Sequence, residues 1–358
     1  MVVVSPAEVN RERAARTYDG LRRHLFERRT DGFRQTVRRW GSTPETCWPF
    51  ANAWAATCSF VALDPSDRKR RDDLDARLVG ILAYHRAHAE LMKQTEPLAF
   101  ESRVTPPLGP GGDIYYDDNE WVALAILHQH QLTGDPELLG LAKRIFTFVS
   151  SGWWETGDLA HPGGVRWAVP TSMVTRNACS TAPAIEIAAL LYEHTGDAGY
   201  LTWAERAYQW MVETLRRDDD LYSDRIEPDG TVHRSVWSYN QGTMIGAGVL
   251  LHRLSGDATY LDDALTTAAA SLAWLQTPGV IDAQGPPLFA IFLRNLLQLP
   301  GWTPASDELA IAREYGERWW SGPGHRSDDV FERDHKFVNP TAGMITVYSL
   351  LAGAAPHC

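Results

Sequence analysis

Two adjacent carboxylates give this chain its clearest chemical possibility. Asp117 and Asp118 lie in the run Gly111-Gly-Asp-Ile-Tyr-Tyr-Asp-Asp-Asn-Glu-Trp121, where a long loop passes into a helical pattern. Glycoside hydrolysis needs two carboxyls flanking one bond, one ionised as nucleophile or base and the other protonated as acid. Neighbouring Cα atoms are about 3.8 Å apart, so the pair readily reaches the separation of about 5 Å that a retaining mechanism uses. Mutual repulsion raises one pKa and helps keep one partner protonated. A structural role also fits: Asp117 as helix N-cap, Glu120 completing a capping box, and Asp118 favouring the helix dipole. On the dipeptide alone, capping is the stronger reading.

Aromatic residues gather near the same stretch of loops. The chain has 14 Trp. Trp121, Trp153, Trp154, Trp167 and Trp237 lie in or beside long connections, where flat rings can pack against the apolar faces of sugars. Trp203, Trp210, Trp274, Trp319 and Trp320 fall inside helical patterns and read as core. Other chemistries find little support. His85 and His88 share a helix face, but further metal ligands are not identifiable, and no H-E-x-x-H, G-x-S-x-G or Walker A sequence occurs. The expectation is no metal and no cofactor. Cys47, Cys58, Cys179 and Cys358 form no C-x-x-C pair. On one helix Cys47 and Cys58 would stand about 16 Å apart, beyond disulfide reach.

The elements that must position these residues are helical hairpins. Leu132-Thr-Gly-Asp-Pro-Glu-Leu-Leu139, His194-Thr-Gly-Asp-Ala-Gly-Tyr-Leu201 and Leu254-Ser-Gly-Asp-Ala-Thr-Tyr-Leu261 repeat one another, with glycines 62 and 60 residues apart. Each glycine closes one helical pattern and precedes the next. The unit is a hairpin of about 60 residues, and the chain holds six. Twelve helices are expected near 6–30, 47–63, 69–90, 118–133, 137–150, 178–195, 200–217, 238–255, 259–275, 286–298, 305–321 and 339–353. One β-hairpin is expected over 221–235, turning on Pro228-Asp229-Gly230. Connections after even helices are short, and those after odd helices are long: 91–117, 151–177, 218–237, 276–285 and 322–338. In a closed ring the long connections emerge at one rim, the usual place for a site. The fold class is therefore all-α, an (α/α)6 barrel forming a single domain over 1–358.

Composition narrows the partners. The 358 residues are 44% hydrophobic and 22% charged, with a net charge of −11, which suits a soluble globular domain and argues against nucleic acid or an anionic membrane. No apolar stretch approaches the roughly 18 residues of a spanning helix. Residues 1–40 carry ten Arg against five acids. Ser5-Pro6-Ala7-Glu8 is a helix-start signature, so these arginines read as the solvated face of a first helix. The N-terminus lacks the pattern of a secretory signal, so the expectation is a cytoplasmic protein or one whose leader has been removed.

Beyond the aspartates, Tyr116-Asp-Asp-Asn-Glu-Trp121, Gly163-Gly-Val-Arg-Trp167, Arg176-Asn-Ala-Cys-Ser180 and Trp237-Ser-Tyr-Asn-Gln-Gly242 occur in order, preceded by Trp48-Pro-Phe-Ala-Asn52. Together these blocks resemble the successive signatures of glycoside hydrolase family 76 over about residues 48–295. The late segment Phe289-Ala-Ile-Phe-Leu-Arg294 departs from the family in lacking a preceding Lys-Gly. The resemblance implies an (α/α)6 fold and retaining, endo-acting cleavage of α-1,6-linked mannan, with Asp117 as nucleophile and Asp118 as general acid/base. Sugar contacts are then expected from Trp48, Asn52, Tyr116, Trp121, Trp167, Arg176, Asn177, Tyr239, Asn240 and Gln241, with Asp224 placed to hold a diol. A monomer acting on α-mannan or manno-oligosaccharide is the expectation. A transglycosylase, a sugar epimerase or lyase, and a non-catalytic carbohydrate-binding protein remain as rival readings.

Overall fold

The computed structural model describes residues 4–37, 42–85, 97–157, 159–170 and 174–356. Among them are thirteen α-helices: α1 (Pro6–Gly20), α2 (Cys47–Val61), α3 (Arg68–Ile81), α4 (Tyr116–Thr133), α5 (Pro136–Ser151), α6 (Ala178–Thr195), α7 (Ala198–Thr214), α8 (Ser238–Ser255), α9 (Ala258–Leu275), the single turn α10 (Val280–Ala283), α11 (Pro286–Leu296), α12 (Ala310–Ser321) and α13 (Val338–Leu351). Helix α2 packs on α4, α4 on α6, α6 on α8, α8 on α11, α11 on α13, and α13 again on α2. That closes an inner ring of six. Helices α1 and α12 pack outside α13, α3 outside α2, α5 outside α4, α7 outside α6 and α9 outside α8. The expected (α/α)6 barrel is the observed architecture.

Sequence explains which helices go inside. In α13 every residue is buried, and in α2 all but Trp48 and Ala55, as helices walled on all sides must be. Outer helix α5 instead buries Leu138, Leu141, Ala142, Ile145, Phe146 and Val149, one stripe at helical spacing. At the tight turns Gly134, Gly196 and Gly256 adopt left-handed φ of 72°, 69° and 77°. The following Asp135, Asp197 and Asp257 cap the next helix through their side chains. Ring closure also needs close approach: a Cβ on Gly242 of α8 would stand 2.6 Å from the Phe292 backbone of α11.

Several boundaries differ from expectation. Helix α1 begins with the expected capping box of Ser5 and Glu8, but gives way to a π turn at Leu21–Leu25 and then to strand β1 (Phe26–Glu27), which pairs with β2 (Gly32–Phe33). Phe26 and Phe33 enclose the buried Arg77 guanidinium, 4.3 and 4.6 Å from the ring centroids, and that tertiary contact overrides helical periodicity. Arg13 and Arg16 are not simply solvated: they pair with Glu317 and Asp329 and tie α1 to α12 and the loop beyond it. Helix α3 passes into a 3-10 turn at Leu82–Tyr84, and residues 86–90 of its expected span, with His88, lie outside the described residues, as does Cys358. The first turn of the helix expected at 305 is a 3-10 turn at Asp307–Leu309. The β-hairpin is present as β4 (Arg225–Ile226) and β5 (Val232–His233), and β4 also pairs with β3 (Arg176–Asn177). Cys47, Cys58 and Cys179 are buried and form no disulfide among the described residues. No helix of the described residues is long and apolar enough to cross a membrane.

Candidate active site

Each inner helix follows a long connection, so all six N-termini face the loop-rich rim. Their partial positive ends therefore converge there. The second residue of each inner helix is, in order, Trp48, Asp117, Cys179, Tyr239, Pro287 and Asn339. One turn deeper, Asn52 donates to Asn339 Oδ1 at 3.0 Å, and Asn52, Trp121, Pro287 and Gly343 line a cavity of about 40 Å³ on the barrel axis. Trp121 also meets Tyr239, with ring centroids 6.4 Å apart.

The start of α4 distributes its side chains in several directions. Tyr116 stacks on Phe148 at 4.7 Å, facing α5. Asn119 holds the incoming strap, accepting from Phe100 N at 2.7 Å and donating to Phe100 O and Tyr115 O. Asp117 does not cap the helix. The cap position is Tyr115, without a side-chain bond, and Glu120 is fully buried with neither carboxyl oxygen hydrogen-bonded among the described residues. The capping-box arrangement is therefore absent, because the helix begins two residues earlier than that pattern requires.

Asp117 Oδ1 instead accepts from the Asp118 backbone N–H at 3.0 Å. Its Oδ2 accepts from Trp167 Nε1 at 3.1 Å and from the Cys179 thiol at 3.5 Å. Trp167 is held by a short ladder: Tyr116 N donates to Trp167 O, and Trp167 N donates to Thr175 O, both at 3.0 Å. Cys179 is aligned by β3, whose pairing with β4 also brings in Asp224. Asp224 O accepts from Ala178 N at 2.8 Å, and its carboxylate pairs with Arg225 at 2.7 Å.

Electrostatics separate the two aspartates. Each keeps a minor part of its surface open, while protein packs around the rest. Burial pushes Asp117 up to about 6, against the pull of Trp167, the Asp118 N–H and Cys179. Asp118 is pushed well above the usual carboxylate range by burial and then by the Asp117 charge. Its carboxyl accepts no hydrogen bond among the described residues, so nothing there offsets burial. Glu120 is raised in the same sense, by burial and then by Asp117. Between the adjacent pair, Asp117 ionises first and Asp118 holds its proton, the division of labour an acid and a nucleophile require.

The other expected contacts divide into two groups. Trp48, Trp167, Asp224 and Tyr239 are partly exposed around the aspartates, and Asn52 and Trp121 lie just beneath. Tyr239 is half-buried, and its hydroxyl is raised by burial and then by Cys179, Asp117 and Asp224. Arg176 is fully buried, and its guanidinium is committed to the carbonyls of Ala160, His161, Gly163 and Glu227. Gln241 is likewise closed off, bonded to both backbone groups of Tyr222 and to Trp237 O. Asn177 and Asn240 are buried, and Asn177 Oδ1 and both polar atoms of the Asn240 amide lack a partner among the described residues. Sequence reasoning did not single out Cys179 and Asn339 as site residues. The signal was available: both occupy the helix position that holds Asp117. Among the described residues no three His, Cys, Asp or Glu side chains are grouped to hold a metal ion.

Comparison with known proteins identifies the family and the fold. The family described as Glycosyl hydrolase family 76 matches residues 11–284. The mannan endo-1,6-alpha-mannosidase DCW1 of Candida glabrata is 30% identical over 132 residues, covering 34% of this chain and 28% of that protein. Its Saccharomyces cerevisiae counterpart is 28% identical over 131 residues, with the same coverage. The chain thus aligns with under a third of the length of these curated relatives. Among solved structures, the family 76 mannosidase Bt3792 of Bacteroides thetaiotaomicron superposes with a TM-score of 0.81 at 19% identity, covering 96% of this chain and 98% of that one. An inactive variant of the α-1,6-mannanase GH76A of Salegentibacter sp., with two consecutive aspartates changed to asparagine and α-1,6-mannotriose bound, gives 0.77 at 23% identity, covering 96% and 99%.

Proposed function

Because the chain belongs to glycosyl hydrolase family 76, we propose that it hydrolyses α-1,6-mannosidic bonds within mannan-type chains, with retention of configuration. Asp117 is the nucleophile and Asp118 the general acid/base. The observation that carries this reading is the asymmetry of the pair: three donors converge on Asp117 and none of the described residues serves Asp118. A carboxylate oriented by donors at both oxygens is ready to attack C1. A neighbouring carboxyl kept neutral by burial can protonate the departing glycosidic oxygen. In the second half of the reaction the ionised Asp118 takes a proton from water, which attacks C1 of the glycosyl ester on Asp117. Trp48, Trp121, Trp167 and Tyr239 supply aromatic surface for the sugar rings, and the Asp224 carboxylate supplies an acceptor for a diol. That two consecutive aspartates were changed in an inactive mannanase carrying bound α-1,6-mannotriose supports the same assignment.

The test is incubation with linear α-1,6-manno-oligosaccharides, followed by chromatography, for the wild type, Asp117→Asn and Asp118→Asn. Cleavage is expected in the wild type alone, with all three proteins folded. Products longer than the substrate would place a sugar acceptor where water is proposed. Turnover retained by Asp117→Asn would refute the assignment and favour a base-driven epimerase or lyase.

A further inference from the structure

Asp117, Cys179 and Tyr239 occupy the same position on three successive inner helices, and they are joined. Tyr239 adjoins the Cys179 thiol and influences its titration, and the Cys179 thiol lies 3.5 Å from Asp117 Oδ2. Cys179 is 4% exposed. Its thiol is pushed well above its usual range by burial and then by the charges of Asp117, Asp224 and Glu120. It therefore stays S–H, and toward a carboxylate it can act only as a donor. Thiols are weak donors; a hydroxyl in the same place would bind a carboxylate more tightly and hold back its electron pair.

We propose that Cys179 is a positioning residue for the reaction: its thiol steers Asp117 Oδ2 with a deliberately weak hydrogen bond. The inference rests on the reading of Asp117 as nucleophile. It makes a signed statement that a merely space-filling cysteine does not. Cys179→Ser replaces a weak donor by a strong one and stabilises the Asp117 carboxylate, whereas Cys179→Ala removes the donor and destabilises it. The other groups around Asp117 and Cys179 are Asp118 and Glu120 on α4, Tyr115 at its start, Cys47 on α2, Asp224 beside β4 and Tyr239 on α8. All are common to the variants, so the order of the variants is the readout.

The experiment has two arms. The first is the pH profile of kcat/KM on an α-1,6-manno-oligosaccharide for wild type, Cys179→Ser and Cys179→Ala. The acid limb is expected to move down in the serine variant and up in the alanine variant, each by about half a pH unit. The second arm is a carboxyl-carbon NMR titration of the same proteins, with Asp117→Asn used for assignment, and the same order is expected. This arm needs no turnover, so a failed substrate assignment leaves it readable. Tyr239→Phe, which removes the hydroxyl beside the thiol, is expected to shift Asp117 in the direction of the alanine variant and serves if a Cys179 variant does not fold. Coincident titrations, or shifts of one sign in both Cys179 variants, would overturn the proposal.

Discussion

Replacing Asp117 by asparagine should change stability in a way that depends on pH, and the sign follows from burial. The carboxyl titrates at about 6 in the folded protein and at about 3.9 in an unfolded chain. The folded state therefore binds this proton more tightly. The group's favourable contribution is complete below about pH 4 and is lost as pH rises through about 6. A gap of about two units corresponds to about 3 kcal/mol. Because part of the side chain still meets solvent, about 1–2 kcal/mol is the appropriate expectation. Asparagine offers an oxygen to only one side of the donor set, which costs about 1 kcal/mol at every pH. The difference in melting temperature, variant minus wild type, should therefore become more positive between pH 4.5 and 8. Unfolding entropy of about 2 cal/mol/K per residue makes that change about 1–3 °C for a chain of this length. Thermal denaturation across that pH range is the assay. A difference that stays flat with pH, or becomes more negative toward pH 8, would refute the burial argument.

Two further outcomes test the scaffold. Gly196→Ala should lower stability by about 1 kcal/mol through left-handed strain alone, since no heavy atom lies within 4 Å of the new Cβ; thermal denaturation should register the loss while oligosaccharide cleavage is unchanged. Arg176→Ala should cost at least about 3 kcal/mol and weaken activity together with stability, because the guanidinium holds four carbonyls of the two loops that carry Trp167 and Asp224.

The ring was legible because its turns repeat. Gly134, Gly196 and Gly256, each followed by an aspartate, expose the hairpin period, and the alternation of short and long connections marks one rim. The end of α1 was not legible, because Phe26 and Phe33 enclose Arg77 only once α3 has packed beside them. The aspartate pair was legible by type, but its helix register was not: a start at Tyr116 places Asp117 inside the first turn, free to meet Trp167 and Cys179. Arg176 and Gln241 show the limit of residue type. The donors that suit a sugar hydroxyl equally suit a loop carbonyl, and only burial separates the two uses. Cys179 carries no chemical motif of its own; its place in the helix repeat is what sets it beside Asp117.

The most direct test of the paired-carboxylate account is the proton NMR spectrum recorded in the first minutes of cleavage of a linear α-1,6-manno-oligosaccharide. Double displacement through Asp117 predicts that the new reducing end appears first as the α anomer, with the β form growing in only by mutarotation. Initial release of the β anomer would contradict the assignment of Asp117 as nucleophile.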